Sequence, residues 1–282
     1  MTMPAQAEHA ARFAALHRSG AFILPNAWDI PSAALIAKAG FEAIATTSSG
    51  VAFALGLVDG EKIDKPRMLA VAGEIARRSP VPVTADLEAG YGVEPEAVAA
   101  TVRDAIAAGL AGCNIEDSDP ATGKLFDLDL AAARIRSGVQ AARDSGLADF
   151  VLNARTDPYL RGFGDPAACL TEAVRRANAY AAAGAGSLFV PGPVDPDSVA
   201  ALARRIDGPL NVMLRPGLAP LADLAALGVR RVSLGGGLAG ATYGFAARTL
   251  TQLKADGDFA AAAGGLNHME MMGLVAGFGA PD

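Results

Sequence analysis

Short apolar segments alternate along the chain with longer alanine-rich segments. The short segments have the length and composition of buried β-strands. There are eight of them: Phe22–Asn26, Ala43–Ser49, Val81–Glu88, Gly112–Asp117, Phe150–Thr156, Ser187–Gly192, Leu210–Leu214 and Arg231–Gly235. The longer segments have helical periodicity, and several end in glycine, a common helix terminator. Eight strand-helix units without a linker-like tract predict one domain over residues 1–282, a (β/α)8 TIM-type barrel, with a doubly wound open sheet as the alternative.

Composition restricts the class of protein to which the chain can belong. Hydrophobic residues make up 51% of the chain and charged residues 19%, the balance of a globular protein rather than a disordered one. A net charge of -6 argues against a broad basic surface, so we expect neither nucleic acid nor a membrane as partner. No apolar run of about 18 residues occurs. Cys113 and Cys169 form no disulfide framework, and we expect a cytoplasmic protein.

Acidic residues end the predicted third and fourth strands. Asp86 and Glu88 are two positions apart, so on a strand they share one face, and Gly90-Tyr91-Gly92 follows them. Glu116 ends the next strand in the same way. The carboxyl ends of the strands meet at one rim of a barrel. Clustered carboxylates without His or Cys are typical of a Mg²⁺ site, and Mn²⁺ is possible there too.

Three further segments each have two interpretations. Arg155 ends the fifth predicted strand, where its guanidinium suits a substrate carboxylate or an ion pair with Asp157 or Glu116. Asp59 precedes a glycine, and a plain turn explains it almost as well as a site does. The tail 259–282 is apolar and rich in Ala and Met. It predicts a helix in contact with another subunit or, second, a terminal helix of the core.

Five motifs follow one another from about Phe22 to Phe245. They are Asn26-Ala27-Trp28-Asp29, Ser48-Ser49-Gly50-Val51, Asp86-Leu87-Glu88-Ala89-Gly90-Tyr91-Gly92, Asn114-Ile115-Glu116-Asp117 and Asn153-Ala154-Arg155-Thr156-Asp157. In this order they resemble the isocitrate lyase/phosphoenolpyruvate mutase superfamily, and the chain looks like a 2-methylisocitrate lyase. The resemblance implies a Mg²⁺-dependent carbon–carbon lyase that acts on an isocitrate-like or α-oxo carboxylate through an enolate. It also implies a homotetramer whose subunits exchange a C-terminal helix.

The resemblance further implies roles for individual residues. The direct metal ligand would be Asp86, and the residues holding metal-bound waters would be Asp59, Glu88 and Glu116. The substrate-binding residues would be Ser49, Gly50 and Val51 through their backbone amides, Asp86, Arg155 as a carboxylate clamp, and Asn211, which stands where lyases place a substrate-binding Asn.

The loop after the fourth strand departs from the pattern of the lyases. Those enzymes carry K-[KR]-C-G-H there, with a Cys that acts as acid/base, whereas residues 118–127 contain neither Cys nor His. The proton donor is then a metal-bound water or Tyr91, and we expect Arg155, Glu116 and Tyr91 to be the catalytic residues. An oxaloacetate-type hydrolase or decarboxylase, which tolerates this loop better, is one alternative. A non-catalytic protein that binds α-oxo acids is the other.

Overall fold

The computed structural model describes residues 2–279, and its centre is a barrel of parallel strands. Within that range nine strands pair in the order β1-β9-β8-β7-β6-β5-β4-β3-β2. Their bounds are β1 Phe22–Leu24, β2 Asn26–Ala27, β3 Ile44–Thr46, β4 Val83–Asp86, β5 Gly112–Glu116, β6 Val151–Arg155, β7 Ser187–Phe189, β8 Leu210–Met213 and β9 Arg231–Ser233. The predicted barrel is therefore confirmed, with helices around the strands.

One predicted strand is divided in two by a proline. β1 and β2 lie on either side of Pro25; β1 pairs with β9, and β2 pairs with β3. Proline has no N–H with which to continue a ladder. β1 and β2 are the two edge strands of the sheet, and they are consecutive in the chain. Their proximity at Pro25 brings the two edges together and forms the barrel.

Twelve helices lie within the described range. Their bounds are α1 Met3–Leu16, α2 Ile30–Lys38, α3 Ser48–Ala54, α4 Lys65–Arg78, α5 Pro95–Ala107, α6 Leu128–Asp144, α7 Pro166–Ala182, α8 Pro196–Arg205, α9 Leu221–Leu227, α10 Gly237–Asp256, α11 Ala260–Ala263 and α12 His268–Ala276. Between residues 2 and 279 none of them is both long and apolar enough to cross a membrane.

Helix α1 packs against the start of β5. The Gln6 side chain donates to the carbonyls of Ile106 and Leu110 at 2.7 and 2.9 Å. A Cβ at Gly112 would lie only 3.0 Å from the ring of Phe13 and 2.6 Å from the carbonyl oxygen of Val151. Glycine is therefore the residue that lets this helix approach the barrel so closely.

The barrel interior below the rim is unusually polar. Asn153 Nδ2 donates to Asn114 Oδ1 at 2.6 Å, and the Asn211 amide pairs with Ser233 Oγ at 3.1 Å. Arg231 is fully buried and donates through Nε to the same Ser233 hydroxyl at 3.1 Å. Burial lowers the pKa of Arg231 to about 9. Asn211 thus belongs to a hydrogen-bonded layer inside the barrel, and its expected contact with substrate stays a prediction.

The C-terminal segment leaves the barrel after β9. Of the residues of α10, all of which the structure describes, Ala239 is the buried one, while Phe245 and Leu250 are exposed. Helix α12 packs against α2 of the same chain and buries Leu274. Residues 280–282 of the predicted tail lie outside the described range. Within one chain the tail therefore forms a docked terminal helix, and its expected subunit contact stays a prediction.

Candidate active site

Asp86 stands at the end of β4 and is oriented by groups of the neighbouring β3 and α3. Ser48 Oγ donates to Asp86 Oδ2 at 2.9 Å, and the Ser48 amide lies 3.3 Å from the same oxygen. The Asp86 amide donates to Thr46 Oγ1 at 3.1 Å. The carboxylate is half-buried at the rim of the barrel. Its second oxygen, Oδ1, has a long 3.4 Å contact with the Glu88 amide.

Two further acids lie beside Asp86. Glu88 is buried, and its carboxylate accepts a hydrogen bond from the backbone amide of Glu61. Burial, followed by the charge of Asp86, raises the pKa of Glu88 to about 8. Asp59 lies on an exposed loop, yet desolvation and then Asp86 raise the pKa of its carboxyl group as well. The acids thus lie close enough to repel one another, which favours a cation among them.

Glu116 and Arg155 are opposite each other on neighbouring strands. They are paired in the register of β5 and β6, and Arg155 Nη1 lies 2.8 Å from Glu116 Oε2. The same guanidinium donates twice to Asp157, which is fully buried. Burial raises the pKa of Glu116, and Arg155 opposes that rise. The ion-pair interpretation of Arg155 is therefore correct, and each terminal nitrogen of the guanidinium retains a further N–H for a ligand.

The predicted amide site lies at the start of α3. The Val51 amide donates to the Thr47 carbonyl at 3.0 Å, as expected inside a helix, and the Gly50 amide is 3.4 Å from Thr47 Oγ1. A Cβ at Gly50 would lie 2.6 Å from Thr47 Cγ2, so the close packing requires glycine. The weakly held Gly50 amide and the Ser49 hydroxyl are better placed to meet a ligand than the Val51 amide is.

Tyr91 presents a phenol to the acidic cluster. Its hydroxyl is buried and has no hydrogen-bond partner among residues 2–279. Burial, reinforced by the charges of Glu88, Glu61 and Asp86, raises the pKa of Tyr91. The phenol therefore stays protonated at neutral pH and has a proton to donate.

Sequence reasoning missed three residues that contact this site. Glu61 lies in the loop before α4, and its backbone amide donates to the Glu88 carboxylate in the turn after β4. Arg134 of α6 is buried and donates to the carbonyls of Ala89, Gly92 and Val93. Arg161 donates to Ser118 Oγ at 2.9 Å and lies 3.9 Å from Glu116. Only Arg134 has a sequence signal, because it falls on the apolar stripe of its helix.

Residues 118–127 form an ordered hairpin beside the rim. Asp119 N donates to the Lys124 carbonyl and Phe126 N to the Asp117 carbonyl, both at 2.8 Å. The Asp117 carboxylate accepts from the Thr156 and Tyr180 hydroxyls at 2.6 and 2.7 Å. Asp117 thus connects the end of β5 to Thr156 and to Tyr180 of α7, and the hairpin brings no thiol or imidazole to the site.

The two thiols of the chain lie on β5 and α7. Cys113 and Cys169 are free and buried, as their apolar sequence surroundings predict. Burial raises the pKa of Cys113, so this thiol stays neutral at ordinary pH.

The donor set fits a divalent cation of the Mg²⁺ type. Carboxylate oxygens are its usual protein ligands, and Mg²⁺ usually keeps several waters. Between residues 2 and 279 no three Asp, Glu, His or Cys side chains come together closely enough to ligate one ion directly. Direct ligation by Asp86, with Asp59, Glu88 and Glu116 reaching the ion through water, therefore stays a prediction.

Known proteins resemble this chain in both fold and sequence. Residues 13–254 match the family model described as phosphoenolpyruvate phosphomutase. A crystal structure of a candidate lyase/mutase from Burkholderia cenocepacia J2315 is 42% identical, with a TM-score of 0.89 and 98% of each chain covered. The oxaloacetate decarboxylase of Paraburkholderia xenovorans is 31% identical over 77% of this chain and 71% of its own. Oxaloacetate acetylhydrolase, solved with oxalate, is 26% identical, with a TM-score of 0.84 over 95% of this chain and 94% of that one. The chain belongs to the phosphoenolpyruvate mutase family of the isocitrate lyase/phosphoenolpyruvate mutase superfamily.

Proposed function

We propose that the chain is a Mg²⁺-dependent enzyme that cleaves a carbon–carbon bond next to an α-oxo or isocitrate-like carboxylate, through an enolate. The observation that carries this proposal is the pairing of Glu116 with Arg155 beside Asp86. It brings oxygen ligands for a cation and a guanidinium for a carboxylate to adjacent strand ends. Mn²⁺ has the same ligand preference and is the second choice of metal.

Each side chain then has a defined task. Asp86 holds the cation directly, and Asp59, Glu88 and Glu116 hold it through water. When bound, the cation supplies the positive charge that stabilises an enolate oxygen. The free N–H groups of Arg155 bind the substrate carboxylate next to the reacting carbon. The start of α3 adds the Gly50 amide and the Ser49 hydroxyl.

Arg161 favours a substrate with a second carboxylate. Its guanidinium is partly exposed at the mouth of the site, with the side chain 37% accessible, and Nη2 has only a long 3.9 Å contact with Glu116. Nε donates to Ser118 Oγ, and the terminal nitrogens retain N–H groups for a ligand. A dicarboxylate can then bind Arg155 with one end and Arg161 with the other.

The hairpin favours decarboxylation or hydrolysis of an oxaloacetate-like acid as the second candidate reaction. In decarboxylation, the bond to the leaving carboxylate breaks and its electron pair passes toward the α-oxo oxygen. Carbon dioxide leaves, and a water or the Tyr91 phenol supplies the proton at carbon. No residue has to remove a proton first, so a hairpin without Cys or His suffices. The named activities of the two oxaloacetate enzymes among the relatives support this second candidate reaction.

A substrate panel tests the proposal. Turnover is measured with Mg²⁺ on isocitrate, 2-methylisocitrate, oxaloacetate and phosphonopyruvate, with EDTA and the Asp86→Ala variant as controls. We expect turnover that is lost with EDTA and in Asp86→Ala and is unaffected by iodoacetamide, because both thiols are buried. Faster turnover of oxaloacetate than of isocitrate would favour the second candidate reaction. Binding of oxalate without turnover of any substrate would favour the non-catalytic α-oxo-acid-binding alternative. Full activity in EDTA would rule out the metal.

The assembly and location are also proposals. The exposed apolar residues of α10 support a homo-oligomer, a tetramer by the family resemblance, in which this helix is exchanged between subunits. The two free, buried thiols support a cytoplasmic location.

A further inference from the structure

Three residues with strained backbones lie in one hydrogen-bonded cluster at the rim. Between residues 2 and 279, the non-glycine residues with positive φ are Glu61 at 53°, Glu88 at 50° and Tyr91 at 59°. The Glu61 amide donates to the Glu88 carboxylate, although 27 residues separate them. The Tyr91 amide donates to Glu61 Oε1 at 3.1 Å. Each strained residue therefore contacts another of the three.

The side chains explain why glycine is not used there. At every other left-handed position of the described range the chain has glycine, including Gly60, next to Glu61, with φ of 97°. Glycine adopts this conformation without steric cost, whereas a residue with a Cβ does not. Such strain persists where the surroundings enforce it, and it gathers at functional sites. Glutamate at positions 61 and 88 places a carboxylate in the cluster, which glycine at these positions would not do.

The carboxylates of Glu61 and Glu88 connect two separate segments of the chain, because each carboxylate binds the backbone of the other segment. Glu88, in the turn after β4, binds the backbone of loop 56–64, and Glu61 of that loop binds the backbone of the turn. The loop carries Asp59, and its far end is anchored by Ile63, which is buried. On its other side the turn is held by Arg134, through the carbonyls of Ala89, Gly92 and Val93.

We propose that Glu61 is a positioning residue that latches loop 56–64 to the turn 88–91 and so holds Asp59 and Glu88 at working distance from Asp86. This inference rests on the proposed function for its metal, but the latch itself is a property of the chain. Opening the latch would move Asp59 away from the rim and free the carboxylate of Glu88. The remaining acids would then hold a cation less tightly.

Variants at Glu61 separate the latch from its backbone strain. Glu61→Ala removes the carboxylate and keeps the strain, whereas Glu61→Gly removes both. Glu61→Gln keeps an oxygen that accepts from the Tyr91 amide. Glu42→Ala, an exposed site before β3, is the matched control. Binding of Mn²⁺ is measured by electron paramagnetic resonance, and cleavage of the metal-free protein by trypsin after Lys62 reports opening of the loop.

We expect Glu61→Ala and Glu61→Gly to weaken Mn²⁺ binding by about 10–100-fold and to speed cleavage after Lys62, because the groups around a metal site contribute on this scale. Glu61→Gln should restore most of both properties, and Glu42→Ala should match the wild type. The decisive variant is Glu61→Gly: an ordinary surface turn would gain from relief of strain. Wild-type Mn²⁺ affinity and trypsin resistance in Glu61→Gly would overturn the latch. If the wild type bound no Mn²⁺, the proposed metal would fail, and the cleavage rate alone would still decide the latch.

Discussion

The Arg155 guanidinium faces the Asp157 carboxylate through two parallel hydrogen bonds, 2.7 Å from Nε to Oδ1 and 2.9 Å from Nη2 to Oδ2. Asp157 is itself fixed by Ser118 Oγ and is fully buried, so the plane of the guanidinium cannot turn. Nη1 is thereby directed at Glu116. A planar, doubly held guanidinium is prepared to recognise a carboxylate before any substrate arrives.

Replacement of Arg155 by lysine keeps the charge and removes this geometry. We expect Arg155→Lys to raise KM for carboxylate substrates by about tenfold or more, since one bidentate charged pair is worth roughly 1.5–3 kcal/mol. Steady-state kinetics with Mg²⁺ measure the effect. Arg175→Lys is the matched control, because Arg175 forms the same two-bond pair with Glu172 from an exposed position on α7. Equal KM values in the two variants would leave Arg155 with a structural role alone.

Asp86 is the proposed direct ligand of the cation. Asp86→Asn should abolish the Mg²⁺-dependent rise in melting temperature together with turnover, because the direct ligand is lost. The metal-free variant should melt no lower than the wild type, since Asp86 raises the pKa values of both Glu88 and Asp59 through repulsion. Differential scanning calorimetry with Mg²⁺ and with EDTA measures both properties. Glu96→Gln, an exposed acid on α5, is the control, and a normal Mg²⁺ shift in Asp86→Asn would contradict the assignment.

Helix α10 carries the prediction of a homo-oligomer. Phe245 is 52% exposed and Leu250 is 65% exposed, which leaves apolar surface in water unless another copy covers it. The double variant Phe245→Ser, Leu250→Ser should therefore form smaller species by multi-angle light scattering. Met3→Ser, at an equally exposed position on α1, should keep the wild-type size. An unchanged mass in the α10 variant would place the subunit contacts elsewhere.

Sequence patterns predicted the barrel and its acids because both depend on local order. The apolar segments gave the strands, and parallel topology then requires Asp86, Glu116 and Arg155 to meet at one rim. The division of the first strand at Pro25 was missed, although proline is the residue that interrupts a ladder.

The supporting residues were missed because they act across long distances in sequence. Glu61 contacts the turn after β4 from a loop whose own sequence suggests only a tight turn. Arg161 reaches Ser118 from 43 residues away. The polar layer of Asn114, Asn153 and Arg231 lies inside strands whose apolar neighbours predict an apolar core. Contacts of this kind have no periodicity, and only the folded chain reveals them.

The last prediction concerns His17, at the end of α1. The imidazole is buried between the rings of Phe13 and Phe22, with ring centroids 4.8 and 5.1 Å away, and Nδ1 lies 2.9 Å from the Phe13 carbonyl. Burial, followed by the charge of Arg231, lowers the pKa of His17 to about 3. The unfolded chain binds a proton near pH 6.5, whereas the folded chain does not. This contribution to stability is therefore present above pH 6.5 and is lost as pH falls toward 3.

His17→Gln keeps an N–H donor for the Phe13 carbonyl and removes the titration. We expect the free energy of unfolding of the wild type, relative to His17→Gln, to fall by about 2 kcal/mol between pH 7 and pH 5, at ~1.4 kcal/mol per pH unit below pH 6.5. Urea unfolding at pH 7, 6 and 5 measures the difference. His268→Gln, at an exposed position on α12, should follow the wild type through the same range. Parallel curves for wild type and His17→Gln would mean that His17 is protonated in the folded chain, against the burial of its ring.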